Sequence, residues 1–371
     1  MDRRTFLKTT LSTTGVAATG VAASGAALAD GEPVSANAAA RPAIGTGAMV
    51  IEAQVEGVFA FPYLRDIADQ FAWRVAEITD GRLKVNIGAV REGDRPEPVP
   101  GSGQAVFTTG DANVSQAPGF SYFGGLPVDL GLPVAHYLGW LSAGGGQMLW
   151  DELAAERGFK PLLVGHSATY AGAWYSAELN SLAGFQGVKV TLSGTAAVLA
   201  RRLGADVLDI TAGQLPQAVR SGSAVLAEVP VPYVIATTSG FSGGRGGWVG
   251  EGLAGQGRAL ALHLDRQLWD RLRPSDRAAL EMCAGESVQR SLATQQILDA
   301  QVAPHVRLPS DQDRAGLPAD VVMAAQRAAR EFLREGLEND DGLRRIHDSY
   351  VAARQMLTGA GDPLDADTPN A

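Results

Sequence analysis

The sequence is poor in cysteine and histidine and lacks long apolar runs. Its one cysteine, Cys283, cannot form an internal disulfide, so the fold must be stabilised by packing. The five histidines never stand at the spacing of zinc ligands, and Cys283 has no cysteine neighbour, which argues against a zinc site. After residue 29, no segment approaches the roughly 20 apolar residues of a membrane-spanning helix. We therefore expect a protein that folds by apolar burial and binds no cofactor.

The N-terminus has the pattern of an export signal. Arg3-Arg4 precedes Thr-Phe-Leu-Lys, and a nearly uncharged segment ends in Ala27-Leu28-Ala29. A basic start, an apolar stretch and a small-residue cleavage site are typical of a signal peptide, and paired arginines favour the twin-arginine route. A membrane anchor is the alternative, but Gly, Ala, Ser and Thr make this segment weakly hydrophobic. We predict a signal peptide over residues 1–29, a disordered lead-in over 30–45 and a periplasmic protein.

Acidic charge limits the classes of partner. The formal net charge is −9, and removal of residues 1–29 leaves 28 Lys+Arg against 39 Asp+Glu, a net charge of −11. Such a chain has no electrostatic reason to bind nucleic acid or anionic lipid. The remaining 342 residues suit two lobes better than a single core.

Alternating strand and helix patterns predict an α/β fold. We expect strands at 48–56, 83–87, 161–166, 187–193, 206–211 and 258–264, with helices at 64–78, 148–156, 195–203 and 214–220. A long helix is expected from Ser275 to residue 303, followed by helices at 319–336 and 340–357.

One carboxylate, Glu228, stands in the apolar run Ala-Val-Leu-Ala-Glu-Val-Pro-Val-Pro-Tyr over residues 224–233. The run predicts a strand that Pro230 and Pro232 terminate. Glu228 is thus expected near the carboxyl end of a strand, where open α/β sheets bind ligands. Burial of an ionised glutamate is costly unless it is paired, so Glu228 is a candidate binding residue. The alternative is a side chain that turns to solvent or to a local backbone amide.

Enzyme motifs are incomplete. Gly165-His166-Ser167-Ala168-Thr169 is similar to the nucleophile elbow of hydrolases, but Thr169 replaces the second glycine. Nothing in the sequence ties a histidine to an acid in hydrolase order. The glycine-rich segment 240–257 contains no Gly-Lys-Ser/Thr phosphate loop. We expect no enzymatic activity, with an exported hydrolase as the less favoured alternative.

Several stretches together resemble the solute receptors of tripartite ATP-independent periplasmic (TRAP) transporters, in the branch that includes 2-oxo acid receptors. They are Gly144–Leu153, Gly165, Gly172–Tyr175, Leu182–Lys189, Leu203–Ala205, Ala227–Glu228, Leu268–Leu272 and Asp348–Tyr350. The resemblance implies a two-lobed periplasmic binding protein with a ligand cleft between the lobes, a long spanning helix and extra C-terminal helices. It also implies capture of a small organic solute and its delivery to TRAP membrane subunits.

The resemblance also divides the chain. It implies that residues 46–165 and 234–264 form lobe I, and that residues 166–233 and 265–318 form lobe II with the spanning helix. Two C-terminal helices cover 319–358, and residues 359–371 are expected to be a disordered tail. The apolar spacing of the last helix permits a homodimer through the C-terminal helices, but intramolecular docking would leave the same pattern.

Three positions depart from the pattern of the branch. Thr191 stands where the family carries an arginine that grips the ligand carboxylate, Val229 replaces an aromatic residue, and Tyr170 replaces a glutamine. Glu228 is retained, and its counterpart in the family helps to form the ligand pocket, sometimes beside a bound cation. Threonine cannot imitate the bidentate, permanently charged guanidinium. Either the ligand is not a simple carboxylate, or the cation has moved.

Other residues are candidates for the same pocket. Lys189 lies two residues before Thr191, on the same strand face, and is a candidate cation unless it is simply solvated. Arg245 is a second candidate. Trp174 is expected to form a pocket wall or to pack in the core, and Tyr122 is expected to face the cleft from lobe I. A receptor-fold protein that has lost transport remains an alternative function, because the family arginine is missing.

Overall fold

The computed structural model describes residues 48–56, 62–88, 99–167, 171–176, 181–208, 210, 214–230, 246–249, 253, 257–302 and 317–365. All of them belong to one compact unit, Gly45–Ala371. The predicted signal peptide and lead-in lie outside the described residues. Among the described helices, none has both the length and the apolar composition that a membrane crossing requires.

Ten strands alternate with helices along the described chain. The strands are β1 (Met49–Val55), β2 (Leu83–Ile87), β3 (Ala105–Thr109), β4 (Phe159–His166), β5 (Ala171–Ser176), β6 (Lys189–Thr191), β7 (Asp206–Val207), β8 (Leu226–Pro230), β9 (Gly246–Val249) and β10 (Ala259–Asp265). The helices are α1 (Pro62–Ile78), α2 (Ser121–Gly124), α3 (Val134–Ala143), α4 (Gly146–Ala155), α5 (Gly194–Arg202), α6 (Leu215–Arg220), α7 (Arg266–Arg271), α8 (Pro274–Val302), α9 (Ala319–Asn339) and α10 (Asp341–Thr358). The predicted α/β class is confirmed.

The first sheet has the strand order β2-β1-β3-β10-β4. β1 runs parallel to β2 and β3, whereas β10 runs antiparallel to β3 and β4. Along β1, Ile51, Ala53 and Val55 are buried and the intervening residues are exposed, as period-two alternation requires. Every residue of the central strands β3 and β10 is buried. The sheet is therefore covered on both faces at its centre.

The second sheet has the order β7-β6-β8-β5-β9. β6 pairs in parallel with β7 and β8, while β5 is antiparallel to β8 and β9. The chain passes from the first sheet to the second between β4 and β5, and it returns between β9 and β10. Two sheets joined by crossing connections confirm the predicted two-lobed architecture.

Two elements depart from the predicted division into lobes, which stays a prediction. β9 was assigned with lobe I, but it pairs with β5 in the second sheet, so residues 246–249 belong to lobe II. The long helix α8 was assigned to lobe II. It packs against α1 and β4 of the first sheet, where Leu280 and Cys283 share a core with Phe71. Burial of this helix face against the first sheet decides its position.

The C-terminal helices α9 and α10 match their predicted ranges closely. Ile346 and Tyr350 of α10 are buried within the chain's own core, whereas Met356 is 82% exposed. The expected disorder of the tail is wrong for residues 359–365. Leu364 is buried there, and the Arg330 side chain donates to the carbonyl of Pro363. Intramolecular docking thus accounts for most of the apolar pattern that permitted a dimer.

Candidate functional site

The carboxyl ends of β6 and β8 lie side by side in the second sheet. Thr191, the last residue of β6, is in register with Ala227, and Glu228 follows on β8. Thr191 is only 9% exposed, and its hydroxyl is buried without a hydrogen-bond partner among the described residues. The backbone of Glu228 pairs with Ala173 on β5. The side chain of Glu228 lies outside the described residues, so its predicted role stays a prediction.

The remaining pocket candidates of lobe II converge on the same strands. Trp174 of β5 is in register with Ala227, and Val229 is in register with Gly172. Thr191, Ala227 and Trp174 thus form one row across three neighbouring strands. The side chains of Trp174 and Val229, and all of Tyr170 and Arg245, lie outside the described residues. The structure brings the backbones of the predicted wall together, as the sequence order alone could not show.

Two candidates occupy other environments. Lys189 is exposed at the start of β6, in register with Asp206 of β7, which fits a solvated strand end. Tyr122 is fully buried. Its hydroxyl and the Nδ1 of His347 share a hydrogen bond of 2.7 Å, and its ring meets Tyr350 edge to face. We therefore assign Tyr122 to the core beneath α10 and leave it out of the pocket.

A buried ion pair joins the two sheets beside this row of strands. Asp111 follows β3 of the first sheet, and Arg258 precedes β10 of the same sheet. The Arg258 Nη2 lies 2.6 Å from Asp111 Oδ1, with the two side chains 12% and 3% exposed. The other carboxylate oxygen, Oδ2, accepts hydrogen bonds from the backbone N–H of Thr195 at 2.8 Å and from its hydroxyl at 3.0 Å. Thr195 belongs to α5, so the pair reaches across to the second sheet.

Local sequence explains why this carboxylate fits at the start of α5. The helix begins directly after β6, at the residues Ser193-Gly194-Thr195, and its first N–H groups have no partner within the helix. Gly194 has a left-handed φ of +57°, and a Cβ built on it would lie 2.1 Å from Asp111 Oδ2. Only glycine fits at this position. The carbonyl of Ser193 accepts a hydrogen bond from Arg258 Nη1 at 3.0 Å.

The electrostatic environment keeps Asp111 ionised. Burial by itself raises the pKa of this carboxyl, but the charge of Arg258 and the hydrogen bond from the Thr195 amide outweigh it. The pKa of Asp111 is therefore lowered below its ordinary value. The positive end of the α5 helix dipole acts in the same direction. The result is a charge-assisted, fully desolvated contact between the two lobes.

Neither hydrolysis nor metal binding finds support in the described residues. Ser167 is 1% exposed, and its hydroxyl accepts a hydrogen bond from the backbone N–H of Arg258 at 2.8 Å, so it is not presented as a nucleophile. Burial raises the pKa of the Cys283 thiol to about 11, which makes it inert. No group of three or more potential metal ligands occurs among the side chains that the structure describes.

Sequence reasoning missed Asp111 and Arg258. The only local signal was a charged residue beside a glycine, in Gly110-Asp111 and Gly257-Arg258. Asp111 follows β3 and Arg258 precedes β10, and both strands belong to the first sheet. The sequence did not predict β3. The two residues are 147 positions apart, so only the pairing of β3 with β10 brings them together.

These features define a class of fold: two mixed sheets, crossed twice by the chain, form the two-lobed arrangement seen in periplasmic binding proteins. No family model matches the chain. It is nevertheless similar, with 22% identity over 303 residues, to the monocarboxylate 2-oxoacid-binding periplasmic protein of Nostoc sp. PCC 7120, covering 78% of this chain and 80% of that protein.

Solved structures show the same likeness. A TRAP periplasmic solute-binding protein from Colwellia psychrerythraea with bound calcium and pyruvate has a TM-score of 0.72 at 17% identity, covering 84% of this chain and 96% of that one. Another, from Chromohalobacter salexigens with bound (S)-2-amino-1-propanol, has a TM-score of 0.63 at 16% identity, with coverages of 85% and 99%. The resemblance to TRAP solute receptors that the sequence motifs indicate is confirmed.

Proposed function

We propose that this protein is a periplasmic solute receptor that captures a small organic solute and delivers it to the membrane subunits of a TRAP transporter. The observation that carries the proposal is the arrangement of the two sheets. Their parallel strands end at one junction, bridged by Asp111, Arg258 and the start of α5. That fold matches solute-binding proteins over nearly their whole length.

The chemical class of the solute follows from the relatives and the pocket. Similar proteins bind 2-oxoacids, pyruvate with calcium, or an amino alcohol. We propose a small polar metabolite, a carboxylate or a related compound, held at the carboxyl ends of β6 and β8. Glu228 accepts hydrogen bonds from the hydroxyl or amine groups of the solute, or pairs with a cation. Glu228 is the third residue of β8 and stands in an apolar run, which supports this role.

Neighbouring residues complete the proposed pocket. Thr191 lies at its floor, with a buried hydroxyl available for a hydrogen bond. Trp174 and Val229 line the adjoining strands, and Tyr170 precedes the first of them. Lys189, at the exposed start of β6, contributes only a distant positive charge.

The receptor performs no chemistry on its solute in this proposal, and it reaches the periplasm by the twin-arginine route. The incomplete nucleophile elbow and the Arg3-Arg4 pair support these two points. A second function, binding without transport, is favoured by Thr191, because the ligand arginine of the family is absent there. Genes for one small and one large membrane subunit beside this gene would favour transport over binding alone.

A ligand panel tests the proposal directly. Purified protein is unfolded, dialysed, refolded and screened by thermal shift against 2-oxo acids, hydroxy acids, amino alcohols and their amides, with and without Ca²⁺. One solute at 100 times its dissociation constant should stabilise the fold by about 2.7 kcal/mol and be recovered unchanged. Absence of any stabilising solute, or recovery of a hydrolysed product, would contradict it.

A further inference from the structure

The carboxylate of Asp111 has the surroundings of a bound anion. It receives Nη2 of Arg258 at 2.6 Å, and the amide and hydroxyl of Thr195 at 2.8 and 3.0 Å. A guanidinium and the N-terminus of a helix both bind carboxylates well in proteins. Here both act on one carboxylate, and that carboxylate belongs to the chain itself.

This position adjoins the proposed ligand pocket. α5 begins three residues after Thr191, whose buried hydroxyl has no hydrogen-bond partner among the described residues. The carbonyl of Ser193, the residue directly before α5, accepts a hydrogen bond from Arg258. Arg258 therefore places a guanidinium against the loop that leads from β6 to α5. Its charge is already neutralised by Asp111.

The backbone at two glycines packs closely against the side chain of Asp111. An added Cβ on Gly194 would lie 2.1 Å from Asp111 Oδ2, and one on Gly124 would lie 2.4 Å from the Asp111 Cβ. A ligand carboxylate at this point would also face Asp111 as a like charge in a desolvated site, which is strongly unfavourable.

We propose that Asp111 is a specificity-determining residue, an internal carboxylate that occupies the anion position formed by Arg258 and the N-terminus of α5. It excludes ligand carboxylates from this position. The solute presents a neutral or hydrogen-bond-donating group to the adjoining ends of β6 and β8 instead, which agrees with the hydroxyl of Thr191 and the carboxylate of Glu228. The exclusion of ligand carboxylates rests on the proposed function. The anion position itself can be tested without any knowledge of the solute.

Substitution Asp111→Ala empties the position and leaves its donors in place. Acetate is the probe and acetamide is its neutral, isosteric control. We expect the variant to melt below the parent, and acetate to restore its melting temperature saturably, while acetamide does not. The parent should respond equally to both compounds. Adding Arg258→Gln to the variant should weaken acetate binding at least about tenfold, as loss of a charge-assisted hydrogen bond predicts.

A matched control separates anion rescue from general stabilisation. Asp265 is equally buried and lies at the opposite end of β10, where its carboxylate accepts from the amides of Leu268 and Gly101 and pairs with no arginine of the described residues. Asp265→Ala should lose stability and gain no selective response to acetate. If Asp111→Ala does not fold by itself, refolding in acetate should recover more folded protein than refolding in acetamide.

Three results would overturn the inference: no acetate-selective effect on Asp111→Ala in melting or refolding, an equal effect on the parent, or rescue that persists without Arg258. Failure of the proposed function is a separate result. The thermal-shift panel would then contain no stabilising solute, whatever the effect of acetate on the Asp111→Ala variant.

Discussion

Histidine 263 should make the protein sensitive to acid. Its imidazole is buried in β10 between Trp150 and Phe159, and neither ring nitrogen has a hydrogen-bond partner among the described residues. Burial lowers the pKa of His263 from 6.5 to about 4. The folded-state pKa thus lies below the unfolded one. The contribution of this residue to stability is complete above pH 6.5, and it is lost progressively as the pH falls from 6.5 towards 4.

The magnitude follows from the two pKa values. Between pH 7.5 and pH 4.5, protonation of His263 in the unfolded chain should cost the native state about 2.5 kcal/mol. His263→Leu, similar in volume, removes this titration together with two unsatisfied polar atoms. We expect the variant to be at least as stable as the parent at pH 7.5, and to exceed it by about 2.5 kcal/mol more at pH 4.5.

Urea unfolding of parent and variant at both pH values measures the difference. Leu262→Val, also buried in β10, is the matched control; it removes no titrating group and should leave the pH dependence unchanged. If parent and His263→Leu lose the same free energy of unfolding between the two pH values, the desolvation argument is refuted.

Four further predictions concern export, binding and motion. Glu228→Gln should weaken binding of the true solute by about 1.5–3 kcal/mol, the value of a charged hydrogen bond, in calorimetric titrations; unchanged affinity would remove Glu228 from the pocket. Thr191→Arg should create affinity for 2-oxo acids that the parent lacks, and tight pyruvate binding by the parent would contradict this. Replacement of Arg3 and Arg4 by lysine should block export, measured by periplasmic fractionation, and intact export would exclude the twin-arginine route. Saturating solute should compact the protein, because two lobes joined by few crossing segments can close; superimposable scattering curves would count against closure.

Helices with a sustained apolar period were predictable from the sequence. α1 was expected at residues 64–78 and spans Pro62–Ile78, because its hydrogen bonds and its periodicity are local. β3 was missed, since its residues Ala-Val-Phe-Thr-Thr are buried on both faces and show no alternation. β9 was assigned to the wrong lobe because nothing local reveals that it pairs with β5.

The candidate site likewise combines features that local sequence specifies with features that only strand pairing sets. The sequence by itself determined that Glu228 lies on a strand near its carboxyl end, because composition and the following prolines specify that strand locally. It also determined that Thr191 cannot supply the missing guanidinium. Only the tertiary structure decided that Arg258 lies beside the end of β6 and that Asp111 neutralises it. The pairing of β3 with β10 sets those two residues together across 147 positions, and the start of α5 completes the contact from the other sheet. Such contacts depend on strand order and on packing between lobes, which no periodicity along the chain encodes.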